Sequence, residues 1–394
     1  MQMKTKKLII ISTMLLVGLF GGAWFFLFYP INQFPKPLGP YGVGTTQYHW
    51  IDEKRQEPNA FDVQHPNREL MVYIFYPTYK HDYQEPYNQD QVVGYKVVLS
   101  YASKLPTWMF SGLDFLKVHE YPNAPLAATN KKLPVIIVSH GWGALVHGWT
   151  WFCEVLASHG YFVVGINHPY VAQVTHYPDG RAIETLVFKR AAERKQEGEA
   201  QQYRTWKENQ VEVCAQDISS AINKLEEFVT QGSMFWSKYI DLNRIGVMGG
   251  SFGGTTAMRA YRKDSRIKSC VDMDGCLRGE DVSAEFTKQC LMIIGSASNQ
   301  WFDEQGEKDL AAIKVQHERY PNTFHLAVID GAGHGVFSDI PFYAQTTLFL
   351  QLFARSSNFY QTAPQQKQVS HGAITHMLAI LESQVLGFFN RTLG

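Results

Sequence analysis

The chain has 394 residues, 45% hydrophobic and 18% charged, with 36 Lys plus Arg balanced by 36 Asp plus Glu. That balance excludes the basic footprint of a nucleic-acid-binding protein, and the apolar content excludes a disordered chain. At ~150 residues per domain the length allows two or three domains, but one large α/β unit also fits.

Lys4, Lys6 and Lys7 precede an uncharged, mostly apolar run from Leu8 to Phe28, and no charge follows until Lys36. As a helix rising ~1.5 Å per residue, this run spans roughly 31 Å, about one bilayer core. It exceeds the ~7–15-residue apolar region of a signal peptide, so an uncleaved anchor is the preferred reading and a cleaved signal the alternative. The lysines before it place residues 1–7 in the cytoplasm and the rest of the chain outside, secreted if the helix is cleaved. A Pro/Gly-rich linker over 29–44 then leads into a catalytic domain over 45–394.

From there short apolar runs alternate with longer amphipathic ones. Strands are expected at Gln47–Ile51, Leu70–Tyr76, Val135–Ser139, Phe162–Asn167, Arg244–Met248, Ser269–Met273, Leu291–Gly295 and His325–Ile329. Helices are expected at Gly148–Ser158, Asn209–Thr230, Thr255–Arg262, Asp309–Gln316, Tyr343–Ala354 and His371–Gly387. The alternation predicts an α/β fold, a mostly parallel twisted sheet with helices on both faces. The charged stretch Lys189–Lys207 is expected to be a solvated helix. Cys153, Cys214, Cys270, Cys276 and Cys290 are odd in number and unclustered, which supports neither a zinc site nor a disulfide scaffold; a single bridge stays open.

The chemistry centres on residues 244–258, which predict a strand, a sharp turn and a helix. Gly249-Gly250-Ser251-Phe252-Gly253 fits the Gly-x-Ser-x-Gly elbow, in which a strained turn presents the serine at the top of the sheet. A serine hydroxyl needs a base, and the base an orienting acid, in the chain order Ser, Asp or Glu, His. Val271-Asp272-Met273-Asp274-Gly275 ends the next strand. Asp274 is preferred because it lies at the C-terminal strand end beside a glycine, with Asp272, expected on the same face, as the alternative. The last strand runs into Gly331-Ala332-Gly333-His334-Gly335, and His334 is the expected base. The oxyanion is expected to meet the backbone N–H groups of Phe252 and of Trp142, in the loop Ser139-His140-Gly141-Trp142-Gly143. His140 is read as structural. No metal or organic cofactor is implied, since no ligand cluster or phosphate loop is present.

Further residues carry a resemblance beyond the general α/β-hydrolase pattern. Gly39-Pro40-Tyr41-Gly42-Val43-Gly44-Thr45, Arg68 to Pro77, Ser139 to Ala144 with Leu156 to Tyr161 and Asn167-His168, and the elbow from Gly249 to Gly254 together resemble the secreted-type (isoform II) platelet-activating factor acetylhydrolases and their bacterial relatives. The match runs from about residue 39 to 340. Gly250 departs from it, since that family usually has His before the nucleophile. The elbow is also similar to that of prolyl-oligopeptidase-type peptidases, but their propeller has no room between anchor and elbow. The resemblance implies calcium-independent hydrolysis of short or oxidised sn-2 acyl chains on phospholipids.

The segment 99–116, with Trp108, Met109, Phe110, Leu113, Phe115 and Leu116, coincides with that family's interfacial helix. It suits either a lipid surface or packing over the acyl pocket. The expectation is a membrane-anchored serine carboxylester hydrolase. A peptidase or amidase on the same triad, and an inactive membrane-tethered binding module, are the alternatives.

Overall fold

The computed structural model describes residues 34–59, 64–80, 84–103, 105–127, 131–187, 199–298, 304–346 and 371–394, with 12–14, 16, 18–23, 27 and 29 from the N-terminal stretch. Among the described residues no helix is long and apolar enough to cross a membrane. Of the anchor expected over 8–28, residues 12–14, 16, 18–23 and 27 are described and the others fall outside.

All eight expected strands form, most of them longer than predicted. β1 (Gly42–Gln56) and β2 (Asn67–Thr78) pair antiparallel. Two short strands, β3 (Glu85–Pro86) and β4 (Lys117–Val118), pair with each other, and β5 (Glu120–Pro122) runs parallel to β1 at the sheet edge. β6 (Leu133–Ser139) and β7 (Phe162–Asn167) follow, then a small hairpin of β8 (Val174–His176) and β9 (Ala182–Glu184). β10 (Ile240–Gly250), β11 (Ile267–Met273), β12 (Gln289–Gly295) and β13 (Phe324–Ile329) complete a nine-stranded sheet ordered β13-β12-β11-β10-β6-β7-β2-β1-β5. β6, β7 and β10–β13 run parallel, while β2 turns the sheet antiparallel beside β7.

Side-chain alternation feeds two cores. Ile136, Val138 and Val163 enter one, shared with α2 (Thr150–Ser158) and α7 (His371–Leu393). Val135, Ile137, Phe162 and Val164 enter the other, shared with α3 (Glu199–Gln231), α4 (Phe252–Lys263) and α5 (Glu304–Arg319). Both faces being covered is why these strands read as unbroken apolar runs. α1 (Gln89–Ser103) and a 3₁₀ helix (Thr107–Phe115) precede β4, and α6 (Ile340–Thr346) covers the start of the helix expected at Tyr343–Ala354, whose remainder lies outside the described residues. All five cysteines are buried free thiols, so no bridge forms.

Two expectations hold in part. The solvated helix read over 189–207 is described only from Glu199, where it begins α3, and it is not merely solvated. Trp206 lies 5.2 Å from Trp142, ring to ring, and Tyr203 accepts a hydrogen bond from the Trp142 indole at 3.2 Å. The 99–116 segment divides between its two readings. Phe110, Leu113 and Leu116 are buried, whereas Trp108 and Phe115 are 57% and 46% exposed.

Candidate active site

β10 delivers the chain into a turn at Ser251, whose φ of 57° and ψ of −125° lie where side chains are seldom found. Such strain costs about 1–3 kcal/mol and persists only where the surroundings hold it. The Ser251 N–H donates to the Met273 carbonyl at 2.9 Å, and its own carbonyl accepts from Thr255 at 3.1 Å. Close approach dictates the flanking glycines. A Cβ on Gly249 would lie 2.3 Å from the Gly253 carbonyl, and one on Gly253 2.2 Å from the Ser139 carbonyl.

Asp274 and Asp272 do not share a strand face. β11 ends at Met273, and Asp274 turns off it with a φ of 55°. The fully buried Asp274 carboxylate lies 2.6 Å from Nδ1 of His334. It also accepts from the Gly295 N–H at 2.9 Å and the Ser298 hydroxyl at 2.6 Å. Because the carboxylate only accepts, Nδ1 of His334 carries the proton and Nε2 is left with a lone pair. Asp272 accepts from the Gly275 N–H at 2.8 Å and has no partner for its second oxygen. Burial, then repulsion from Asp274, holds its carboxyl well above the usual range. The sequence offered no signal for Ser298, which meets Asp274 only because β12 lies beside β11.

Ser251 and His334 line one cavity of about 290 Å³ with Trp142, Trp149, Tyr95 and Phe337. Tyr95 comes from α1 and Phe337 from the turn that follows His334. Trp149 was not singled out from the sequence. Its indole fills the space above Gly250, where a Cβ would meet Nε1 at 2.7 Å. This accounts for glycine where the resembled family usually carries His.

Phe252 is the first residue of α4, so its N–H has no intrahelical acceptor. The Trp142 ring lies 4.6 Å from the Phe252 ring, and Trp142 and Ser251 line the same cavity. His140 is buried behind this loop. Its Nδ1 lies 2.8 Å from the Gly141 carbonyl, and burial pushes it down to about 3, so it is neutral. Nearby, His168, Cys214 and Asp217 offer ligand atoms within 4.8 Å of one another. Arg55 and Arg68 already pair with Asp217, and burial pushes the Cys214 thiol up, so this donor set suits an ion-pair network better than a cation.

A family model described as platelet-activating factor acetylhydrolase, isoform II, matches residues 27–382. The chain is 24% identical over 327 residues to a platelet-activating factor acetylhydrolase of Cavia porcellus, covering 75% of this chain and 71% of that protein. It is 26% identical over 340 residues to one of Canis lupus familiaris, covering 79% and 69%. A solved ferulic acid esterase from Streptomyces cinnamoneus superposes with a TM-score of 0.66 at 24% identity, covering 92% of this chain and 93% of its own; that likeness concerns the α/β-hydrolase-like fold. The chain belongs to the isoform II platelet-activating factor acetylhydrolase family and is a serine carboxylester hydrolase.

Proposed function

We propose that Ser251, His334 and Asp274 form the catalytic triad, and that the enzyme removes short, acetyl-like acyl chains from phospholipids or related lipid esters. The supporting observation is the 2.6 Å contact of buried Asp274 with His334 in the cavity that also holds Ser251. In this reading the Ser251 hydroxyl attacks the ester carbonyl while Nε2 of His334 takes its proton. The N–H groups of Phe252 and Trp142 bind the oxyanion. His334 then protonates the leaving alcohol, and water releases the acyl group by the same steps in reverse. Asp274 keeps the imidazole tautomer fixed and stabilises the imidazolium.

A cavity of about 290 Å³, whose wall includes Tyr95, Trp142, Trp149 and Phe337, suits a short acyl group better than a long one. We place the catalytic domain outside the cytoplasm, held to the membrane by residues 8–28. Tyr29, just past that span, lies 6.1 Å ring to ring from Phe115, beside exposed Trp108. The anchor would then emerge next to the apolar patch that meets the lipid surface.

The test is hydrolysis by the full chain in detergent micelles of p-nitrophenyl esters from acetyl to decanoyl, an sn-2 acetyl phospholipid and a chromogenic peptide amide. The reading predicts turnover of the phospholipid and a fall in kcat/KM beyond short acyl chains. Turnover of the amide alone would contradict it.

A further inference from the structure

Behind the Trp142 loop runs a chain of fully buried polar groups that the proposed reaction leaves unused. It starts at Arg68, whose Nε and Nη2 donate to Asp217 on α3 at 3.0 and 2.6 Å; Arg55 donates to the same carboxylate. Asp217 lies 2.9 Å from Nδ1 of His168, and Nε2 of His168 lies 2.9 Å from the Ser139 hydroxyl. The carboxylate can only accept, so Nδ1 of His168 donates and its Nε2 accepts from Ser139. The His168 backbone N–H in turn donates to Nε2 of His140 at 3.0 Å. A backbone N–H has no other role, so Nε2 of His140 is unprotonated and its proton sits on Nδ1, which donates to the Gly141 carbonyl at 2.8 Å.

That carbonyl shares a planar trans peptide unit with the Trp142 N–H, and in such a unit C=O and N–H point in opposite directions. Holding the carbonyl toward buried His140 therefore aims the Trp142 N–H away from it. A second donor, the Ala144 N–H, grips the same carbonyl at 3.1 Å. We infer that the buried chain Arg68–Asp217–His168–His140 sets the direction of the Trp142 N–H, so that His140 and His168 are positioning residues for the oxyanion.

This rests on the reading of Trp142 as an oxyanion donor. Burial lowers the proton affinity of both imidazoles, His140 to about 3. Neither gains a proton at neutral pH, and the direction of every bond in the chain is preserved. A proton on Nε2 of His140 would set it against the His168 N–H as two facing donors and disturb the seat of the His140 ring. α3 supports the loop at both ends, with Asp217 behind it and Tyr203 and Trp206 on the Trp142 ring.

The test uses the full chain in detergent micelles with p-nitrophenyl acetate and an alkyl trifluoromethyl ketone, whose serine adduct carries an oxyanion. His140→Leu removes the grip on Gly141. It should lower kcat by about ten- to a hundredfold, short of the ~10²–10³ for deleting an oxyanion donor. KM should stay within about twofold, and the ketone should weaken in parallel with kcat/KM. His140→Asn, which keeps a donor near the Nδ1 position, should recover most of the loss. His168→Gln, which breaks the link to Asp217, should show the same split and serves if His140→Leu does not fold. Either folded variant with kcat within twofold of wild type, or with the ketone bound as tightly as before, overturns the inference. Ser251→Ala separates the two levels: if it still turns over, the serine reading itself fails, whereas an inactive Ser251→Ala beside an unaffected His140→Leu removes this inference and leaves the serine nucleophile standing.

Discussion

The indole of Trp149 occupies the place that a side chain on Gly250 would need, with Nε1 only 2.7 Å from the position of a Cβ. Gly250→His should therefore overpack the site, costing about 1–3 kcal/mol and lowering turnover. Trp149→Leu in the same chain should restore part of both, because it empties the space the imidazole needs. Thermal melts and ester hydrolysis of the single and double variants check this. Additive losses would show that the two positions are not coupled.

Asp274 and Asp272 should respond very unequally to the same substitution. Asp274→Asn removes the acceptor that fixes the His334 tautomer and should lower kcat by about 10⁴, the loss known for the equivalent change in a serine protease triad. Asp272→Asn replaces a carboxyl that burial disfavours in its charged form by an amide of the same shape, and should stay within a few-fold of wild type. Steady-state kinetics of the two variants decide the matter, and the reverse order of effects would count against Asp274.

Particular residues show how much the sequence could reveal. The eight strands were readable because each is an apolar run bounded by turn residues, as in Phe162–Asn167, which forms with its expected bounds. The short strand pairs β3–β4 and β8–β9 were not, since two or three residues carry no period. Strand alternation could not separate Asp272 from Asp274, because Asp274 leaves the strand at positive φ. Trp149 against Gly250, Ser298 on Asp274 and Trp206 on Trp142 join residues far apart in sequence, and no local pattern announces such contacts. Within 107–115 the apolar content was plain, but which residues face outward depends on what α1 and the core already cover.

That division of the 3₁₀ helix gives a prediction for lipid surfaces. Trp108→Ser with Phe115→Ser should weaken binding to phospholipid vesicles by about tenfold or more and leave hydrolysis of soluble p-nitrophenyl acetate unchanged, since about 25 cal/mol is lost per Å² of apolar surface no longer buried. Phe110→Ser should instead lower the melting temperature, because Phe110 is fully buried. Vesicle co-sedimentation, run without residues 8–28 if that variant folds, checks the first claim. Equal vesicle binding by wild type and the double variant would refute it.

A pH dependence follows from Glu154 on α2. Burial, and next the charge of Glu120, hold its carboxyl well above the usual range, while burial and the charge of Glu85 push Glu120 up to about 8. A carboxyl raised on folding binds its proton more tightly in the folded state. Its contribution to stability is then complete below the unfolded value near 4 and is lost as pH rises through the folded value. Unfolding free energy should fall between pH 6 and 9 by up to about 1.4 kcal/mol per pH unit for each such proton. Glu154→Gln should flatten this slope and be relatively more stable at pH 9 than at pH 6. Denaturant titrations at both values check the sign, and an unchanged slope would contradict it.

The central claim is that Ser251 is the nucleophile, and the most direct test joins turnover to labelling. Full-length wild type and Ser251→Ala, both folded by circular dichroism, are assayed on p-nitrophenyl acetate and an sn-2 acetyl phospholipid, then treated with a fluorophosphonate and analysed by peptide mass spectrometry. The account predicts that wild type hydrolyses both esters and carries one phosphonyl adduct on Ser251, and that the variant has neither activity nor adduct. Turnover by Ser251→Ala, or an adduct on another residue that abolishes wild-type activity, would contradict it.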